Sequence, residues 1–244
     1  MKKNSDFKFI IFILGLFSII PIVNAQITSG KITYERKTNL HKKFKNDPFM
    51  NDWIKKQDKN KIDVFELYFN DSLSFFKPQE NELYDDFSWA TNKNTVYQDF
   101  KNRKRLSIKN IEGETFYISD SLLVRKWKIT GSKRNICGYN CRKAIWQAND
   151  SIRFYAWYCN EIITNTGPES FLGLPGAILG LATEDGGVIY FAKTIESMHP
   201  DTKTLLPPKT KNKIYPIAEF RTKLEKSVGK YKWGKIIIKE ALDF

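Results

Sequence analysis

The chain has 244 residues, 41% of them apolar, with a formal net charge of +13 and only two histidines and three cysteines. That length fits one large or two small domains, and that apolar share is ample for a hydrophobic core. His41 and His199 lie far apart in sequence and no second cysteine pair follows Cys137 and Cys141, so neither a metal centre nor another cofactor is expected.

The first 25 residues read as a leader. Lys2, Lys3 and Lys8 form a basic start, Phe9 to Ile22 is an apolar run broken by Pro21, and Val23-Asn24-Ala25 offers a small-residue cleavage site. A retained membrane anchor is the competing reading. The run is short for the ~20 residues that span a bilayer, and the mature chain has no second one of that length. The expectation is an exported protein, cleaved near Ala25, periplasmic or secreted, without a transmembrane segment. No cysteine follows the cleavage site, which argues against a lipid-modified N-terminus. Removing the three lysines and Asp6 leaves a net charge of +11. Basic charge with interleaved aromatics would suit a nucleic acid, but export takes the chain away from one. Peripheral contact with an anionic envelope surface, or with an acidic partner, is expected instead.

From there the chain reads as short strands. Ser29 to Thr38 alternates Ile32, Tyr34 and Arg36 against Lys31, Thr33 and Glu35. Phe49, Met50, Trp53 and Ile54 predict one or two helical turns over an end of the sheet. Lys61 to Phe69 and Leu73 to Lys77 predict a hairpin through Asn70-Asp71-Ser72, and Pro78 to Lys93 an ordered surface loop. Strands follow at Thr95–Asp99, Arg105–Lys109, Glu114–Ile118 and Lys126–Thr130. Ala177–Thr183 and Val188–Ile195 form a further hairpin, and Pro200 to Asn212 a linker. Pro216 opens the one good helix, with Ile217, Phe220, Leu224 and Val228 on a single stripe and Gly229 as its stop. Lys235 to Lys239 predicts a last short strand. Turns this frequent argue for an all-antiparallel sheet. The expected fold is therefore mainly β, with residues 26–244 as a single domain. It is a curved antiparallel sheet or half-barrel with one packed C-terminal helix.

The chain is organised around the stretch from Thr166 to Gly180, where Gly167-Pro168 and Gly173-Leu174-Pro175-Gly176 form two corners nine residues apart. Proline followed by glycine predicts a type II turn over Leu174–Ala177, with Gly176 at positive φ. The run Ile136–Leu179 resembles the GLPGLI family of small exported bacterial proteins. Gly138-Tyr139, Cys141, Lys143-Ala144, Trp157-Tyr158, Glu161-Ile162, Gly167-Pro168, Gly173-Leu174-Pro175-Gly176 and Ile178-Leu179 carry the resemblance, and Gly30-Lys31-Ile32-Thr33-Tyr34 extends it weakly. Ala177 departs from the leucine of the name motif, and Cys159 stands where the family more often has a small or hydroxyl residue. The family is uncharacterised, so the resemblance implies export and carries over no catalytic or ligand-binding residue, while the corner geometry itself marks Gly167, Pro168, Gly173, Leu174, Pro175 and Gly176 as structural.

Cys141–Ala148 and Ile152–Cys159 predict a hairpin through Asn149-Asp150-Ser151, in which paired residue numbers sum to 300. Trp146/Phe154 and Ala144/Ala156 then face the core, with Ala148 opposite Ile152, and Ile145/Tyr155 and Lys143/Trp157 face away. Cys141 falls opposite Cys159, which predicts a disulfide between them; the rival is Cys137–Cys141. Tyr155, Trp157 and Lys143 are the candidate ligand-binding residues. No Gly-x-Ser-x-Gly elbow or phosphate loop is present, His199 has no evident partner, and Asp85-Asp86 and Glu184-Asp185 read as solvated turns. No catalytic residue is nominated. A non-catalytic envelope protein binding an apolar small molecule or an extended ligand is the leading expectation. An assembly protein presenting its Gly/Pro corner to another envelope protein comes second, and a hydrolase with an unrecognised site third.

Overall fold

The structure is a computed structural model, and it describes residues 26–47, 49–80, 87–150, 152–231, 234, 235 and 238. The leader therefore lies outside the described residues, as does the acidic pair Asp85-Asp86. Twelve strands build one sheet: β1 (Gly30–Asn39), β2 (Asn60–Phe69), β3 (Leu73–Pro78), β4 (Thr95–Asp99), β5 (Lys104–Ile111), β6 (Glu114–Ser121), β7 (Lys128–Ile136), β8 (Tyr139–Asn149), β9 (Ile152–Cys159), β10 (Ala177–Thr183), β11 (Val188–Ser197) and β12 (Ile214–Pro216). Their order across the sheet is β12-β6-β5-β4-β3-β2-β1-β11-β10-β9-β8-β7. Short helices α1 (Leu40–Lys43), α2 (Asn51–Ile54) and α3 (Thr202–Leu205) lie between strands, and α4 (Ile217–Val228) follows β12.

The mainly β expectation holds, and every pairing between these strands is antiparallel except one: β12 runs parallel to β6. Three residues that follow a lysine-rich stretch and end in a proline give no alternation to detect, which is why that strand escapes the sequence. Lys235 and Ile238, expected in a strand, are helical. Helix α4 sets Phe220 and Leu224 against Phe116 and Ile118 of β6, so it closes one edge of the sheet and not its middle.

The sheet is strongly curved. Strands β11 and β7 are four steps apart, about 19 Å in a flat sheet. Yet the Cys137 thiol, at the tip between β7 and β8, donates to the Ala192 carbonyl of β11 at 3.1 Å. The concave face carries Ile32, Tyr34, Phe65, Leu67, Phe76, Phe154, Ala156, Tyr158 and Tyr190, all buried.

The expected hairpin register is observed from Arg142↔Tyr158 through Gln147↔Arg153. It slips at the turn, where Asn149 and not Ala148 opposes Ile152, so a bulge at Ala148 leaves a tighter connection.

The expected Cys141–Cys159 bridge is not formed, and neither is the rival: all three cysteines are free thiols. The β8–β9 ladder ends at Arg142↔Tyr158, one position short of the cysteines. Cys141 turns its thiol to the Tyr139 carbonyl at 3.6 Å, while Cys159 Sγ accepts the Glu161 N–H at 3.3 Å. Burial, with Cys159 next, pushes the Cys141 thiol up to about 12, so at neutral pH it is protonated and unreactive.

Candidate functional site

The connection between β9 and β10 does not cross the surface. Thr166 to Leu172 is buried without a break, and the segment fills the concave face as a plug. A buried loop must satisfy its own peptide groups. This one does so through Ile178 N to Thr166 O (3.0 Å), Ala177 N to Ile162 O (3.1 Å) and Phe171 N to Pro168 O (3.0 Å). Side chains add three more at the segment and its exit: Trp127 Nε1 donates to Leu172 O at 3.0 Å, Arg125 Nη1 to Ser170 O at 3.2 Å and the Tyr34 hydroxyl to Ile178 O at 2.7 Å.

The two corners have different tasks. Gly167 is extended, and a Cβ there would lie 2.5 Å from Ile178 Cβ, so the residue permits close packing of plug on strand. Gly176 takes φ +149°, and a Cβ would lie 2.0 Å from the Cys159 carbonyl oxygen. Positive φ is as expected, but the turn is not type II. Gly176 N donates to Leu174 O at 2.9 Å, a three-residue turn centred on Pro175, while Ala177 N goes to Ile162.

Glu169 and Ser170, between the corners, adopt positive φ of 51° and 67°. That costs energy for a residue with a Cβ, and what it delivers is Glu169, 1% exposed, into a buried polar cluster. The Tyr190 hydroxyl donates to Glu169 Oε1 at 2.8 Å, and Asn94 Nδ2 to Oε2 at 3.0 Å. Arg36 Nη1 lies 3.9 Å from Glu169 Oε1, while its Nη2 and Nε donate to Asp63 Oδ2 at 2.6 and 3.1 Å. Arg36 Nη1 also donates to Asn92 O at 2.6 Å, and the guanidinium lies 4.6 Å from the Phe65 ring centre. Lys61 Nζ lies 3.0 Å from Asp63 Oδ1, and Lys93 Nζ contacts the same oxygen. The register explains the meeting: Arg36 opposes Asp63 on one side and Tyr190 on the other.

Burial alone would raise the Asp63 carboxyl, but Arg36 and Lys93 outweigh it and hold it well below the usual carboxylate range. Burial lowers Arg36 in turn, and Tyr190, Asp63 and Glu169 more than restore it. Burial, reinforced by Glu169, pushes the Tyr190 phenol well up. Asp63 and Arg36 are therefore fixed charges at neutral pH.

Above this cluster lies an open cleft of about 690 Å³. Its floor is Arg36, Asn94, Glu169 and Tyr190. One wall is Thr38, Asn39, Lys42 and Lys43, and the other is Ile152 and Phe154 with the β10–β11 turn from Thr183 to Val188. Thr91 Oγ1, on the same lining, is buried and has no hydrogen-bond partner among the described residues.

The sequence-nominated residues lie elsewhere. Lys143, Tyr155 and Trp157 sit on the outer face of β8 and β9, as their register requires. Lys143 Nζ stands 3.9 Å from the Tyr155 ring centre and 5.6 Å from that of Trp157, and Trp157 packs on Phe191. Arg134 covers Phe191 at 4.5 Å. The Tyr155 hydroxyl donates to Glu184 Oε1 at 2.5 Å. These side chains are engaged with one another on an outer face and line no cleft together. His199 Nδ1 lies 3.0 Å from Ser29 Oγ on the surface. Among the described residues no group of three or more His, Cys, Asp or Glu side chains is disposed to hold a metal.

Arg36, Asp63 and Glu169 were not nominated from sequence. Arg36 carried a signal: it shares the inward stripe of Ile32 and Tyr34, and a charge on a core-facing stripe needs a buried partner.

Comparison with known proteins adds the following. A family model described as "Protein of unknown function (Porph_ging)" matches residues 146–180, the stretch from β8 through the plug into β10. No curated protein sequence matches the chain. Among solved structures the chain resembles PNGF-II in two crystal forms. In the C2 form the TM-score is 0.52 at 18% identity, covering 77% of this chain and 30% of that one. In the P21 form the values are 0.55 and 16%, with 82% and 34% covered. The chain thus spans about a third of PNGF-II, and at this identity the likeness is one of fold alone. An uncharacterised conserved protein from Thermus thermophilus aligns at TM-score 0.42 and 7% identity, over 78% of this chain and 91% of that one. Among the described residues no helix is long and apolar enough to cross a membrane.

Proposed function

We propose that the chain is a non-catalytic envelope protein whose cleft holds an extended ligand with one polar and one apolar edge. The observation that carries this reading is the cleft itself, whose floor of Arg36, Glu169, Tyr190 and Asn94 is held in place by mutual contacts beneath the more exposed polar groups of Lys42, Asn92 and Asp185. Preorganised polar groups beside an apolar wall are the usual make-up of a ligand site. Ile152, Phe154 and Val188 supply that wall. A purely apolar ligand would match Ile152, Phe154 and Val188 but not the polar rim of Lys42, Asn92 and Asp185, so of the two ligand classes expected from sequence the extended one is retained.

Catalysis is disfavoured by the same chemistry. Asp63 is fully buried and held ionised, so it has no proton to give at neutral pH and no access to a substrate. The assembly reading needs the Gly/Pro corner at the surface, whereas apart from Gly173 and Pro175 the corner residues are buried. Membership of the GLPGLI family is part of this proposal. It rests on Gly167-Pro168 and Gly173–Gly176, and is supported by the family of unknown function that matches the same stretch. Export rests on the leader-like residues 1–25.

The test is native mass spectrometry of the mature protein purified from a bacterial envelope without detergent exchange. The expected result is a discrete adduct that organic extraction releases. A bare polypeptide mass, with nothing extracted, would contradict the proposal.

A further inference from the structure

A second cleft, of about 700 Å³, opens between the segment before β7 and the outer half of the β8–β9 hairpin. Its cations are Arg125, Lys126 and Lys128, its apolar surfaces include Val124, Ile145 and Trp146, and among the described residues no carboxylate lines it. Arg153 also borders it, but that guanidinium is held by Glu184 at 2.8 Å and by Gln147.

Arg125 is the unusual member. It is only 6% exposed, yet among the described residues it has no carboxylate partner. It stacks on Phe171 at 3.8 Å and on Trp146 at 5.0 Å, and Nη1 donates to the carbonyls of Ser170 and Leu123. Among the described residues Nε is buried with no acceptor, and Nη2 makes no hydrogen bond. A buried guanidinium almost always meets a carboxylate, because a desolvated charge left unpaired is costly. Burial, and after it the like charge of Arg105, bring Arg125 down to about 9 and still leave it protonated at neutral pH.

We infer that this second cleft is a binding site for an organic carboxylate carried on a short apolar body, with Arg125 as the group that receives the carboxylate. Arg125 lines the cleft, and Nη2, which is not enclosed as Nε is, can donate a charge-assisted hydrogen bond to one oxygen of a carboxylate. Lys126 and Lys128, both exposed, add attraction at the mouth, and the apolar body lies against Trp146 and Val124. Arg153 lines both clefts, but Arg125, Lys126, Lys128 and Trp146 belong to the second alone, so the two sites can be tested separately.

The experiment is calorimetric titration of the mature protein with octanoate, octanol and octylammonium at low and moderate salt. The expected result is saturable one-to-one binding of octanoate, at least tenfold weaker binding of octanol and none of octylammonium. Added salt should weaken the octanoate complex. Arg125→Met should abolish octanoate binding while Arg125→Lys keeps part of it. Should either variant fail to fold, the exposed pair Lys126→Glu and Lys128→Glu carries the test, with an expected loss of at least tenfold. Octanol binding as tightly as octanoate would overturn the inference. So would octanoate affinity that survives the double charge reversal, or one that is lost instead in Val188→Trp, which blocks the first cleft.

Discussion

Two clusters on opposite faces of one sheet use the same residue types to different ends. On the concave face Arg36 meets Asp63, Glu169, Phe65 and Tyr190 with almost no solvent exposure. On the outer face Lys143 and Arg134 lie on Tyr155, Trp157 and Phe191 in contact with water. Burial decides the difference. Water screens the outer set, so each contact there contributes little. The inner charges cannot be rehydrated, so each depends on all its partners. The inner face also takes two residues at positive φ to bring in Glu169, whereas the outer face follows from strand alternation alone.

The contrast is broken most severely at Asp63. Asp63→Ala strands Arg36 among buried groups, and removing one partner of such a pair costs about 3–5 kcal/mol. Urea unfolding should show that loss. A loss below about 1 kcal/mol would mean the cluster is wetter than its geometry requires.

Gly176→Ala comes next. It combines a φ of +149° with a Cβ 2.0 Å from the Cys159 carbonyl, so the β9–β10 junction must shift, at a cost of about 3 kcal/mol. Thermal unfolding measures it, and an unchanged midpoint would contradict the backbone geometry.

Acid sharpens the comparison without a change to the fold's wild-type side chains. Asp63 has a folded value well below its unfolded value of about 3.9. Its contribution is therefore complete above about pH 5 and drains away as pH falls below about 4 toward the folded value. Asp63→Asn should flatten that acid limb. The outer cluster should add little to it, and Lys143→Met is expected to change stability by less than about 1 kcal/mol at any pH, as read from urea midpoints.

Much of the scaffold was legible because period-two alternation encodes faces directly. The β8–β9 register followed from keeping Trp146, Phe154, Ala144 and Ala156 together, and Thr95–Asp99 and Ala177–Thr183 match their strands end to end. Strand β7 runs on to Ile136 where only Lys126–Thr130 was expected, because an edge strand of Gly131-Ser132-Lys133-Arg134-Asn135 is exposed on both faces and leaves no pattern. The site was hardly legible. Arg36, Asp63 and Glu169 come from three elements distant in sequence, and Glu169 sits in a segment whose glycines and prolines read as shape. Its role depends on the loop turning inward, which no local periodicity reports.

The measurement closest to the central claim is the amount of ligand retained by two variants purified side by side from the same envelope, read by native mass spectrometry. Val188→Trp fills the first cleft, and the double variant Tyr155→Ala with Trp157→Ala strips the outer face. The cleft-filled protein is expected to lose its adduct while the outer-face variant keeps it at the wild-type level. Loss confined to the outer-face variant would contradict it and return the binding surface to Lys143, Tyr155 and Trp157.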